Sequence, residues 1–167
     1  MKVSARPVAA LALASALAVT TAATASAAEP DFELDIPAGV ACAFSLHIEG
    51  TLTGHRVTRE FTDPDDDPVM LLSAGKGNQL TFTNPDSAKT LSLPSNGSVQ
   101  LTKINADGSS TVQSTGHNVV ILYPTDVPAG PSTTLYTGRL VYTVDANEVF
   151  TVQSSSGPTT NICALLA

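Results

Sequence analysis

Short runs of alternating apolar and polar residues, each cut off by Gly, Pro, Asn or Asp, fill this chain from Ala41 onward. Successive side chains of a strand face opposite sides of its sheet, so a period of two marks a strand with one buried face. Cys42, Phe44, Leu46 and Ile48 alternate with Ala43, Ser45, His47 and Glu49 in the clearest such run, and the cysteine rides on its apolar face. Arg56–Thr62 reads as the next strand, with Val57 and Phe61 on one face, and Asp63-Pro64-Asp65-Asp66-Asp67-Pro68 breaks it. Residues 69–74, Leu80 with Phe82, Leu91 with Leu93, and residues 99–104 continue the series, with Asn96-Gly97 and Asp107-Gly108 as hairpin pairs. Residues 111–114 start a seventh strand, and Val119-Val120-Ile121-Leu122-Tyr123 is a continuous apolar run suited to a central one. Residues 124–131 hold too much proline for a ladder and read as an ordered surface loop. Tyr136, Leu140, Tyr142 and Val144 alternate in one long strand, Phe150 and Val152 lie on its hairpin partner, and a polar loop over 154–160 leads to Ile162 and Cys163.

Apolar residues nowhere recur at helical spacing over more than one turn. About eight to ten strands with turns every 8–12 residues predict an all-β fold. The expected form is a single antiparallel β-sandwich, immunoglobulin-like or a related Greek key, with a barrel as the alternative. That domain spans residues 39–167, and residues 28–38 read as a flexible acidic lead-in without pattern.

The first 27 residues carry a different pattern. Lys2 and Arg6 make a positive start, residues 8–19 are Ala, Leu and Val broken only by Ser15, and Ala25-Ser26-Ala27 offers small residues for cleavage before Ala28. This is the layout of a signal peptide, and its apolar stretch is shorter than the ~20 residues a membrane span needs. Gly39-Val40-Ala41-Cys42 lacks the leucine of a lipoprotein signal, Lys2 and Arg6 form no twin-arginine pair, and Leu93-Pro94-Ser95-Asn96-Gly97 lacks the threonine of a sorting motif. The expectation is a secreted, extracellular protein with no stable membrane insertion after cleavage.

Cleavage would leave six Lys and Arg against fifteen Asp and Glu, a net charge of −9 where the whole chain has −7. Such an acidic domain is a poor partner for nucleic acid or anionic lipid. The two cysteines, Cys42 and Cys163, allow one intramolecular pairing, the alternative being two free buried thiols. Export favours the disulfide, which would close a loop of about 120 residues and contribute roughly 5 kcal/mol in the chain-entropy picture.

The candidates for chemistry are few. Asp63, Asp65, Asp66 and Asp67 supply the hard oxygens Ca²⁺ prefers, yet the run lacks the Gly and terminal Glu of an EF-hand loop, and a solvated turn explains it better. His47, His55 and His117 stand at no zinc-ligand spacing, although His47 and His55 could meet across a hairpin. His117, Asp126 and Ser132 make a hydrolytic triad on paper, with no nucleophile elbow around Ser132. Gly75-Lys76-Gly77 is too short for a phosphate loop, and without Trp the chain lacks the favoured stacking platform of sugar-binding modules. No cofactor motif is present in this reading.

The stretches Leu80-Thr81-Phe82-Thr83-Asn84, Thr90-Leu91-Ser92-Leu93 and Gly116-His117-Asn118 through Pro131 resemble those of a group of small secreted proteins of high-GC Gram-positive bacteria for which no activity is known. The resemblance implies export and a single β domain, and no residue role follows from it. The expected function is that of a non-enzymatic extracellular module, a monomer that binds an extracellular protein or polymer. Its contact surface is expected on the loop carrying Pro124, Asp126, Pro128 and Pro131. The alternative is a secreted hydrolase with a site around His117 and Asp126.

Overall fold

The structure, a computed structural model, describes residues 29–53, 55–94 and 96–167. The leader and its cleavage site at Ala27 and Ala28 lie outside the described residues. In chain order the described elements are β1 (Phe32–Ile36), β2 (Leu46–Thr51), β3 (Arg56–Thr62), β4 (Pro68–Lys76), β5 (Gln79–Asn84), β6 (Lys89–Leu93), β7 (Gly97–Ile104), β8 (Ser110–Leu122), β9 (Ser132–Thr137), β10 (Arg139–Val144), β11 (Phe150–Ser156), β12 (Thr159–Asn161) and α1 (Ile162–Leu166). They form an antiparallel β-sandwich: a four-stranded sheet in the order β1-β2-β5-β6 faces a larger one in the order β11-β10-β8-β7-β4-β3, to which β9 and β12 add beside the far half of β8. The sheets do not close into a barrel.

One main core holds the sandwich together. Ile36, Leu46, Ile48 and Phe82 project from the small sheet onto Val119, Ile121 and Leu135 of the large one, and α1 closes the end with Ile162 and Leu166. Burial of each large aliphatic or aromatic side chain contributes roughly 1.5–3 kcal/mol. Asn161 caps α1 by accepting a bond from the Ala164 amide at 2.9 Å, and the Asn84 side-chain amide donates to the Leu166 carbonyl at 2.9 Å. Cys42 and Cys163 are disulfide-bonded in this core, with Cα atoms 5.5 Å apart.

Several elements differ from the sequence expectation. The lead-in is not flexible coil over its whole length, since β1 pairs with β2 and sets Leu34 opposite Ile48 and Ile36 opposite Leu46. Phe32, Leu34 and Ile36 alternate with Glu33 and Asp35, and the acidic composition hid that period of two. Among the described residues twelve strands stand where eight to ten were expected, because the long strand through Tyr136 and Tyr142 breaks at Gly138 into β9 and β10, and the polar tail loop contains the end of β11 and most of β12. Conversely, the seventh strand and the apolar run after it are one strand, β8. Asn96-Gly97 is not a hairpin, because β6 belongs to the small sheet and β7 to the large one.

Two glycines explain how β8 serves two neighbourhoods. Through Gly116 it pairs with β7, and from His117 onward it pairs with β9. Gly116 has φ 92° and Gly138, which donates to its carbonyl at 2.9 Å, has φ 132°. A methyl group on either would collide with a neighbouring carbonyl oxygen, that of Gly97 or of Ser156. The large sheet bends sharply along this line because only glycine lets the backbones approach there. Before the bend, β3, β4, β7, the first half of β8, β10 and β11 form a wing.

Candidate functional site

The chain passes between the two sheets three times, from β2 to β3, from β4 to β5 and from β6 to β7. These crossings are tied together, with the Thr53 hydroxyl donating to the Gly77 carbonyl at 3.0 Å and the Gly77 amide to the Asn96 carbonyl at 2.8 Å. Beside them, at the bend, lies a cleft of about 270 Å³. Leu80, Leu93 and Pro94 form one wall, and Val119, Val120 and Leu135 form another.

Its floor is polar. Strand register puts Ser98, Gln100, Ser114 and Tyr142 on one face of the wing, and all four line the cleft. Ser98 is only 8% exposed and Ser114 only 2%, yet neither hydroxyl bonds to a described residue. The side-chain amide nitrogen of Asn118, on the cleft wall, is buried and likewise unpartnered. Buried polar groups are nearly always hydrogen-bonded, so the Asn118 nitrogen, beside two hydroxyls that line the same cavity, marks a place suited to a polar group from outside. Burial pushes the Tyr142 phenol up from its ordinary range, which keeps the hydroxyl protonated. Arg56 reaches over the same face and donates to the Gln100 side-chain oxygen at 3.3 Å.

The wing is inverted relative to ordinary patterning. On β7, Ser98 faces inward while Val99 is 45% exposed, and on β3 Val57 and Phe61 are both exposed. Sequence reading missed Arg56, Ser98, Ser114, Asn118 and Tyr142 as site residues. The available signal was phase: Ser110, Val112, Ser114 and Gly116 share one face of β8, and so many small or polar residues there do not suit a dry core.

The residues singled out from sequence are placed as follows. His117 lines the cleft opposite Thr137 on β9, whereas Ser132 pairs with Leu122 five positions along, about 17 Å away at strand rise. Asp126 is buried at the far end of β8. Its carboxylate accepts from the Tyr123 amide at 2.6 Å and the Phe150 amide at 2.9 Å. The triad is therefore not assembled, and the buried Asp126 carboxylate pins its loop. Pro124, Pro128 and Pro131 do lie on an ordered loop, with cis bonds at Val127-Pro128 and Gly130-Pro131 and a bridge from Val127 to Thr151. That loop does not line the cleft.

Asp63 uses its carboxylate to close its turn, accepting from the amides of Asp65 at 2.9 Å and Asp67 at 3.0 Å, and Asp66 takes the left-handed φ of 71°. Among the described residues no three His, Cys, Asp or Glu side chains stand where they could share a metal ion, which removes the geometric basis for Ca²⁺ at Asp63, Asp65, Asp66 and Asp67. His47 and His55 do not meet across a hairpin, because β2 and β3 belong to different sheets. His47 instead bonds to Asp35 on β1 at 2.7 Å, which raises its pKa, partly offset by desolvation.

Among the described residues no helix is long and apolar enough to cross a membrane. No protein-family model matches the chain, and no curated protein or solved structure is significantly similar to it.

Proposed function

We propose that this protein is a secreted, extracellular, non-catalytic binding module whose ligand seat is the cleft at the bend. On this reading it acts as a monomer, and the group it takes up is presented by an extracellular protein or polymer. It needs no cofactor and does not bind nucleic acid. The signal-peptide pattern and the Cys42–Cys163 disulfide support export. The reading also keeps the resemblance to small secreted β proteins as a proposal about origin.

The observation that carries it is the buried, unpartnered side-chain nitrogen of Asn118 in a cavity with apolar walls that the Ser98 and Ser114 hydroxyls also line. Ligand sites are typically apolar concavities with a few placed polar groups that fix orientation. The hydrolase alternative has less support, since His117 lines the cleft and Asp126 and Ser132 do not.

A compound screen by thermal shift tests the reading. The oxidised protein is compared with Ser114→Leu, which fills the cleft floor. Compounds are expected that raise the Tm of the wild type and leave Ser114→Leu unmoved. If every stabilising compound acts equally on both, the cleft is not the seat.

A further inference from the structure

The cleft differs from the rest of the molecule in charge. The chain carries fifteen Asp and Glu, all among the described residues, yet none of them lines the cleft. What lines it is donor-rich: the Arg56 guanidinium, the free amide of Asn118, the hydroxyls of Ser98 and Ser114, and the protonated phenol of Tyr142. The Gln100 side-chain oxygen, an acceptor on the same floor, already takes the bond from Arg56. Such a set satisfies a ligand that brings acceptors and negative charge. A ligand cation would find no counter-charge in the cleft. The leucine and valine walls require in addition a compact apolar body of a few carbons, and the volume of about 270 Å³ suits one.

From this we infer that the cleft takes an organic carboxylate on a short aliphatic body, the carboxylate oxygens meeting Asn118, Ser114 and Arg56 while the body lies against Leu80, Leu93 and Val119. This assignment rests on the proposed binding role. The chain end of an aliphatic peptide and a free branched acid share this chemistry. Selection works by mismatch: a neutral isostere leaves the donors poorly satisfied, and a cation is repelled by Arg56.

The test uses the oxidised protein, recovered from an exporting host, and three probes: N-acetyl-leucine, 4-methylpentanoate and the neutral N-acetyl-leucinamide. The readout is the shift of the Asn118 side-chain amide and the Ser98 and Ser114 backbone amides in ¹H–¹⁵N spectra. At least one carboxylate is expected to bind at least about tenfold more tightly than the amide, the margin of a charge-assisted over a neutral hydrogen bond. If only the acetylated acid binds, a peptide end is the source, and if only 4-methylpentanoate binds, a free acid is. Asn118→Asp should abolish carboxylate binding and spare whatever binding the amide shows. Arg56→Gln, at an exposed position that leaves the core intact, should weaken the carboxylate alone. Should the amide bind as well as the acids, the carboxylate assignment falls and the binding role stands. Should none of the probes move the three amides while Ser114→Leu still blocks ligands found by thermal shift, the assignment again falls alone. Failure of both experiments overturns the binding role as well.

Discussion

The two ends of the large sheet follow opposite rules. Past the glycine bend, the far half of β8 and β9 turn Val119, Ile121 and Leu135 onto the small sheet and share a core with Phe82, Leu46 and the disulfide. Before the bend, only Val112 and Leu140 are buried apolar residues of the wing, its inner face carries the Ser98 and Ser114 hydroxyls with no side-chain hydrogen bond among the described residues, and Val57, Phe61 and Val99 are exposed. The closed end is held by apolar burial and the covalent link. The wing is held by its ladder hydrogen bonds, whose net contribution per bond is modest. Buried Asn84, Asp126 and Thr133 outside the wing all have hydrogen-bond partners, so the wing differs in holding polar groups inside without them, which is where the proposed site lies.

The largest effects should fall on the closed end. Cys42→Ser with Cys163→Ser removes a link across a sequence separation of 121 residues. It is expected to cost about 2–5 kcal/mol in urea unfolding, the range for native disulfides in small secreted domains. Phe82→Ala, at a site with no solvent exposure, should cost about 3–5 kcal/mol through lost burial and the cavity left behind. The matched change on the wing, Phe61→Ala, should stay within about 0.5–1 kcal/mol because that ring is already exposed. Equal losses from Phe82→Ala and Phe61→Ala would mean that something covers the wing, and would break the comparison.

This contrast also marks what the sequence could tell. Period-two runs located most strands, and Arg56–Thr62 was bounded to the residue. Alternation says that a strand has two unlike faces and not which one turns inward, so the wing's phase could not be read before its register was known. Glu33 and Asp35 concealed β1 by composition. The crossings were hidden because Asn96-Gly97 has hairpin chemistry while its flanking strands pair in different sheets. Ser98, Ser114 and Asn118 are ordinary residues 16 and 4 positions apart, and only the β7–β8 register and the bend at Gly116 bring them to one cavity.

A smaller effect sharpens the claim about the wing's interior. Ser114 lines the cleft and its hydroxyl makes no hydrogen bond among the described residues, so Ser114→Ala deletes that hydroxyl without breaking a bond. In an ordinary core position a loss is expected from removing a hydrogen bond. Here the change should be close to neutral, within about 0.5 kcal/mol, because no bond is lost. The same variant should bind ligands of the cleft less well. Unchanged stability with lost binding is what a residue kept for the site and not for folding would give. A clear destabilisation would show that the hydroxyl has a partner in solution and would remove one support of the site.

The smallest effect belongs to the outer face of the small sheet, where His47 accompanies acidic residues. Its bond to Asp35 at 2.7 Å raises its pKa, with Glu49 at 3.6 Å adding to the effect and desolvation opposing it. The charged imidazole is thus favoured in the folded state. Its contribution is fully present below the unfolded value of 6.5 and is lost as pH rises through the higher folded value. Stability should therefore fall slightly from pH 6 to pH 8, by a few tenths of a kcal/mol, since Asp35 is 87% exposed and salt screens the pair. Urea midpoints at the two pH values should differ for the wild type and converge in His47→Gln and in high salt. The cleft lies on the other side of this chemistry, without a carboxylate, so its ligand affinity should show no matching step in His47→Gln. A step of equal size in both properties would tie the acidic face to the site and end the view of them as separate regions.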